Sequence, residues 1–235
     1  TTIMATKAKV LFVPSMNTNM YENPIVQANM EKLRSFGYEF VEPESGHLAC
    51  NTSGKGRFPA LETIMDCAEK CIYGRELLKG KKVVVSAGGT QEKIDPVRYI
   101  SNRSSGRQGY AIAKAAWMEG ADVTLVSCTT ALPAPYGVKM VYVQDARELE
   151  KAMNTEYDSC DAAIMAAAVS DYRPTVQADQ KIKKEDFDSL HIDLTQNPDI
   201  LYGLGQKKRG QFLVGFAAET QDVIEHGKSK LKRKN

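Results

Sequence analysis

Short apolar runs alternate along the chain with stretches of helical periodicity, and this alternation constrains the fold more than any other feature. Strand-like runs fall at Lys9–Pro14, Lys82–Ala87, Asp122–Ser127, Met140–Val143, Ala162–Ala167 and Phe212–Phe216. An order of this kind closes as a parallel sheet with helices on both faces, because each parallel connection must cross over the sheet. The runs VVVSA and AAIMAAA are apolar in near-continuous rather than alternating order, as strands buried on both sides require. An α/β fold is therefore expected.

A boundary is expected near Tyr73–Gly80, where the amphipathic LETIMDCAEKCIYGRELL gives way to the basic LKGKK and then to a new buried strand. Residues 1–75 and 76–235 are read as separate domains, and 235 residues suffice to bury a core without covalent staples. The five cysteines, Cys50, Cys67, Cys71, Cys128 and Cys160, form no CxxC pair, which points to reduced thiols and a cytoplasmic location. No apolar run approaches the roughly 20 residues that cross a bilayer, so no membrane partner is expected. The net charge of +2 conceals a basic end, KSKLKRKN, that can hold a polyanion. The chain opens without Met and stops inside a charged helical pattern, so it reads as a fragment.

Chemistry concentrates after Lys81. The strand KKVVVSAGGT delivers Gly88, Gly89 and Thr90 to its carboxyl end, where α/β sheets bind ligands, although the same residues also make an ordinary turn. Next, SNRSSGRQG places Asn102, Ser104, Ser105 and Gly106 before a helix with an expected apolar face of Ile112, Ala115, Ala116 and Met118. Free N–H groups at a helix start attract anions, whereas a plain cap needs only one such residue. In AAAVSDYRP, Asp171 follows a strand and suits a ribose, a base edge or a magnesium ion, or simply a turn. The lysine cluster of DQKIKKEDF suits triphosphate chemistry or a solvated face, and Asn197 of HIDLTQNPDIL is expected to cap a helix starting with Pro198 and Asp199.

Taken in order, GGT, IDPVRYISNRSSG, AAAVSDYRP, KIKK, QNPDIL and VGFAAET resemble the motif series of bacterial phosphopantothenate-cysteine ligases. The resemblance implies a Rossmann-like parallel sheet with helices on both faces, preceded by part of a flavodoxin-like α/β domain. It implies that 4'-phosphopantothenate attacks CTP, that pyrophosphate leaves, and that cysteine resolves the acyl-cytidylate, with Mg2+ bridging the phosphates. Lys181 matches the loop lysine of the first step and Asn102 the asparagine of the second. Ala166, Ala167, Ala168 and Asp171 match the nucleotide-contacting segment, Asn197, Pro198, Asp199, Ile200 and Phe216 the cytosine pocket, and Lys230 with Lys234 the phosphate pair. A homodimer through this domain, and a higher homo-oligomer of the longer protein, are implied as well. SAGGT stands where TAGPT-like turns are commoner, and Ser170 where Ala is frequent.

The first domain is similar to the C-terminal third of phosphopantothenoylcysteine decarboxylases, which use FMN. Pro14, Met16 and Asn17 match a proline-x-Met-Asn motif, and Ala49 with Cys50 match the Ala-Cys pair of a substrate clamp. Asn17 is expected to hold the substrate carboxylate and Cys50 to act as acid; Asn51 and Thr52 replace the clamp's usual Gly-Asp. Two other readings compete. An NAD(P)-dependent short-chain reductase is suggested by the glycine turn and by Tyr110 with Lys114, although the third fingerprint glycine is missing. A non-enzymatic nucleotide-binding or nucleic-acid module is suggested by the basic end, but aromatic residues for stacking are not interleaved with it, so no nucleic-acid partner is expected.

Overall fold

The computed structural model describes residues 2–183, 189–216 and 223–234, and the chain divides into the units Thr1–Arg75 and Glu76–Asn235. The first unit runs α1 (Thr2–Ala5), β1 (Leu11–Phe12), α2 (Thr18–Tyr21), α3 (Pro24–Ser35), β2 (Glu39–Phe40), β3 (Glu44–His47), β4 (Ser53–Arg57) and α4 (Leu61–Tyr73). The apolar run at Lys9–Pro14 yields only a short strand, because β1 has a single partner, the equally short and parallel β2. Asn23 starts α3 by accepting from the Ile25 N–H, with Pro24 supplying a preset first turn. β3 and β4 form an antiparallel hairpin. A Cβ on Gly56 (φ +140°) would lie 2.1 Å from the Met16 carbonyl oxygen, so only glycine lets β4 lie against the loop that follows β1.

The second unit begins with β5 (Lys82–Ala87), β6 (Gln91–Lys93), β7 (Tyr99–Ser101), α5 (Arg107–Met118), β8 (Asp122–Ser127) and β9 (Lys139–Tyr142). It continues with α6 (Ala146–Tyr157), β10 (Ala162–Met165), β11 (Tyr172–Pro174), β12 (Leu194–Gln196), α7 (Ile200–Gln206), β13 (Phe212–Gly215) and α8 (Val223–Lys234). Five strands form one sheet in the order β13-β10-β5-β8-β9, every pair parallel. The order reverses between β5 and β10, and a crevice opens beyond the carboxyl ends of the strands at such a switch point. The expected α/β class and parallel sheet are what the chain adopts.

Alternate residues of the strands face opposite layers. Val84, Val126, Ala163 and Met165 pack with Leu149, Met153 and Tyr157 of α6 and with Ile200 and Leu204 of α7. Val83, Val85, Val123 and Leu125 are buried on the other face, where α5 packs against β5 and β8. The face of α5 differs from expectation: Gly109, Tyr110, Ala113, Ala116 and Trp117 are buried, whereas Ala115 is exposed and Ile112 and Met118 only half-buried. The cause is Gly109, where a Cβ would lie 2.5 Å from that of Ala87; the helix approaches the sheet along this glycine and turns Ala115 outward. Asn197 does not cap α7 either, since Asp199 does so by accepting from the Tyr202 N–H at 3.1 Å. Among the described residues no helix is long and apolar enough to cross a membrane.

Candidate functional site

The segment that follows β10 is fastened residue by residue to the end of β5. Ala167 N donates to Ser86 Oγ at 3.1 Å, Ala168 N to the Gly88 carbonyl at 2.8 Å, and Ser170 N to Thr90 Oγ1 at 3.0 Å. In return Thr90 N donates to the Ala168 carbonyl at 3.3 Å. Two amides complete the frame: Asn102 Nδ2 donates to the Val169 carbonyl at 3.0 Å and Asn197 Nδ2 to the Ser170 carbonyl at 2.8 Å. Buried backbone groups need such partners, and here the partners hold an irregular segment in one shape. Ser86 was not anticipated; a hydroxyl inside the apolar run VVVSA was its available signal.

The frame encloses a cavity of about 580 Å³ at the carboxyl end of β10. Of the residues singled out from sequence, Asn102, Ala167, Ala168 and Asp171 line one part, and Asn197, Pro198, Asp199, Ile200 and Phe216 another. Lys230 and Lys234 line it from α8, joined by the unanticipated Arg233. The structure does not bring Gly88, Gly89, Thr90, Ala166 or Lys181 to the wall; Gly89 bridges Ala168 instead, and Thr90 is fully buried beneath Ser170. Ser104, Ser105 and Gly106 also stand off the wall, at the start of α5. Gly106 (φ +77°) is the N-cap residue there, and Ser104 Oγ and Ser105 Oγ accept from the Gly106 and Arg107 N–H groups, each at 3.4 Å, so the serines serve the start of the helix as an ordinary cap does. Lys184 of KIKK and residues 217–220 of VGFAAET lie outside the described residues.

Charge within the cavity is uneven. Lys234 Nζ meets Asp199 Oδ1 at 2.9 Å. Burial pushes the Asp199 carboxyl up, but the Lys234 ammonium and the Tyr202 N–H outweigh it and leave the group below its ordinary value. Arg173 Nη1 donates to Asn197 Oδ1 at 3.1 Å and so fixes which face of that amide points inward. The cavity wall thus combines three cations of α8 with polar amides and the exposed ring of Phe216, a combination suited to an anionic ligand with a flat polar end.

In the first unit, Asn17 and Cys50 come together from 33 residues apart, with Asn17 Nδ2 3.1 Å from Cys50 Sγ. Thr52 Oγ1 lies 3.1 Å from the same sulfur. The Thr52 hydroxyl, and next the Asn17 amide, pull the thiol below its ordinary pKa, and Cys50 is exposed. Thr52 had appeared only as a departure from a clamp pattern; its contact with sulfur emerges from the fold. The other cysteines differ: burial pushes Cys67 and Cys160 up to about 11 and Cys128 up to about 12.

Residues 78–235 match the family described as the DNA/pantothenate metabolism flavoprotein C-terminal domain. The chain belongs to that family. Residues 1–73 match a second family, described as Flavoprotein. Among relatives, the coenzyme A biosynthesis bifunctional protein CoaBC of Bacillus subtilis is 44% identical over 239 residues, covering 100% of this chain and 58% of its own length. The protein of the same name from Vibrio cholerae is 45% identical over 238 residues, covering 100% of this chain and 59% of its own. The chain thus spans under two thirds of the relatives it matches. A solved structure of the C-terminal domain of a CoaBC protein aligns with TM-score 0.60 at 44% identity, over 67% of this chain and 74% of that one. A DNA/pantothenate metabolism flavoprotein from Streptococcus pneumoniae shares the fold with TM-score 0.57 at 24% identity, over 66% and 79% of the two chains.

Membership in the DNA/pantothenate metabolism flavoprotein family removes the reductase reading, and the structure gives a physical reason. Tyr110 is 6% exposed, and its hydroxyl is bound to Ser127 Oγ at 3.0 Å and to the Thr129 carbonyl at 3.1 Å. Burial raises its pKa, as for a hydroxyl packed in the core.

Proposed function

We propose that the cavity of the second unit binds CTP and 4'-phosphopantothenate, and that the protein ligates 4'-phosphopantothenate to cysteine in coenzyme A biosynthesis. One observation carries this reading: an irregular, backbone-fastened segment at the sheet's switch point and the cations Lys230, Arg233 and Lys234 line the same cavity. The relatives' printed role in coenzyme A biosynthesis supports it.

In this mechanism the phosphopantothenate carboxylate attacks the α-phosphorus of CTP, the bond to the β-phosphate oxygen breaks, and pyrophosphate departs. Lys230 and Lys234 neutralise the triphosphate, Lys181 stabilises the charge that grows during attack, and the hydroxyls of Ser104 and Ser105 at the start of α5 are further donors. Asn197, Asp199 and Phe216 receive the cytosine. Asn102 then polarises the acyl carbonyl while the cysteine amine displaces CMP. Mg2+, when bound with CTP, would neutralise phosphate charge, and Asp171, which lines the cavity, would offer it a protein oxygen. A homodimer through this unit, a higher oligomer of the longer protein and a cytoplasmic location belong to the same proposal.

For the first unit we propose a share in decarboxylating 4'-phosphopantothenoylcysteine. Asn17 holds the substrate carboxylate and Cys50, its thiol tuned by Thr52, returns a proton. FMN, when bound, takes and returns the electrons of that reaction, and the exposed thiol beside the half-buried amide suits the substrate side of such a site.

The decisive assay incubates the protein with CTP, Mg2+, 4'-phosphopantothenate and cysteine and follows pyrophosphate. Lys181→Gln is expected to lower phosphopantothenate-dependent release by about 10²–10³-fold, the usual cost of one preorganised donor. Asn102→Asp is expected to release pyrophosphate and stall as the acyl-cytidylate. Release independent of phosphopantothenate, or failure to bind CTP at all, overturns the reading.

A further inference from the structure

Asp95 is 1% exposed, yet it lies in a turn, between β6 and β7. One oxygen explains the turn: Oδ1 accepts from the Val97 and Arg98 N–H groups, each at 2.8 Å. The other oxygen is surplus to it. Oδ2 accepts from Arg98 Nε at 3.0 Å and Nη2 at 2.6 Å, and also from the N–H of Ile182, 87 residues away, at 3.2 Å. Arg98 Nη2 in turn donates to the Ile182 carbonyl at 2.8 Å. Both backbone groups of Ile182 are therefore gripped by one ion pair, and Ala178 N adds a bond to the Ile94 carbonyl at 2.9 Å.

This grip matters because of where it falls. Among the described residues the stretch between β11 and β12 contains no helix or strand that could fix its course. Lys181, directly before Ile182, is exposed and has no ion pair among the described residues. Charge-assisted bonds around a buried carboxylate are shorter and roughly twice as strong as neutral ones. The Arg98 guanidinium foremost, with the N–H groups of Val97, Arg98 and Ile182, holds the Asp95 carboxyl well below the usual carboxylate range against the pull of burial. A carboxyl depressed in this way keeps its charge above the ordinary value near 4 and loses it only as pH falls through the depressed one, so the grip persists at neutral pH.

We propose that Asp95 is a positioning residue for nucleotide activation: with Arg98 it clamps the Ile182 backbone to the β6–β7 turn and thereby fixes the backbone from which Lys181, which stands off the cavity wall, reaches toward the phosphates of CTP. The inference rests on the role given above to Lys181. It distinguishes two functions within one side chain, with Oδ1 shaping the turn and Oδ2 holding the lysine loop.

Asp95→Asn separates them, because the amide keeps an oxygen for the turn and replaces the second oxygen by a donor that neither Ile182 N–H nor Arg98 can use. In the ligase assay kcat for pyrophosphate release is expected to fall by about tenfold or more while KM for CTP changes less than about threefold, since Asp95, Arg98 and Ile182 do not line the cavity. Hydrogen exchange across residues 178–183 should speed up. The double variant Asp95→Asn/Lys181→Gln should be no slower than Lys181→Gln alone, because residues acting as a unit are not additive. An unchanged kcat beside an inactive Lys181→Gln overturns the proposal and leaves the ligase reading intact, as does a multiplicative loss in the double variant. Full activity of Lys181→Gln overturns the role of the lysine itself and the proposal with it. Should Asp95→Asn fold poorly, Ile182→Pro deletes the clamped N–H without touching the ion pair. The same loss of kcat is then expected, and an unchanged value overturns the clamp.

Discussion

The two candidate sites join residues distant in sequence, but they are held in opposite ways. Around the second unit's cavity the segment after β10 is fastened through its own backbone groups, which pair with buried hydroxyls, with other backbone or with the amides of Asn102 and Asn197, over a sheet whose helices contribute Leu149 and Met153, both fully buried. In the first unit β1 and β2 are only two residues long, and the exposed Cys50 of the β3–β4 turn meets Asn17 and Thr52 at the surface. The difference teaches what a sheet buried on both faces contributes to a site. It fixes irregular backbone by desolvating it, whereas a short pair of strands leaves site geometry to surface contacts that solvent and pH can alter.

The largest test strikes the buried side of this contrast. Leu149→Ala should cost about 2–5 kcal/mol of unfolding free energy, as buried leucines do, and weaken the cavity with it. A loss below about 1 kcal/mol in denaturant titration would mean that the sheet is not what stiffens the site. Thr90→Val is nearly isosteric but leaves the Ser170 N–H buried without a partner, for about 1–3 kcal/mol and weaker CTP binding by calorimetry. Full CTP affinity in this variant would show that the segment after β10 keeps its shape unaided.

On the exposed side the expected effects are smaller. Thr52 lowers the Cys50 pKa, so Thr52→Val should raise it and slow alkylation of the thiol at pH 7, with little change in melting temperature. An unaltered alkylation–pH profile would remove Thr52 from the site. The smallest effect belongs to the Lys234–Asp199 pair, where Asp199 is partly exposed. Lys234→Gln should cost under about 1 kcal/mol. Because the Asp199 carboxyl is depressed in the folded state, its contribution is present above its ordinary value and is lost as pH falls through the lowered one. Lys234→Gln should flatten that acid limb in melts recorded across pH.

Legibility from sequence followed the same contrast. The strands Lys82–Ala87 and Asp122–Ser127 occur with the bounds their apolar runs suggest, because burial on both faces writes itself into consecutive residues. The face of α5 was misjudged, since Gly109 carries no apolar side chain to reveal that it makes the closest approach to the sheet. Asn197 reads as a cap by its place before Pro198, but in the fold it spans Ser170 and Arg173, which no local pattern announces.

The sequence by itself determined the α/β class, the five strands of the parallel sheet as apolar runs, and the motif series that points to nucleotide chemistry, because periodicity and burial are properties of neighbouring residues. Only the tertiary structure decided that Asn102 meets Val169, that Asn17 meets Cys50, and that Asp95 grips Ile182. Each of those groups has a local partner available in principle. Which distant donor it meets is fixed by where parallel crossovers and the β3–β4 hairpin return the chain, and that geometry is a property of the whole fold.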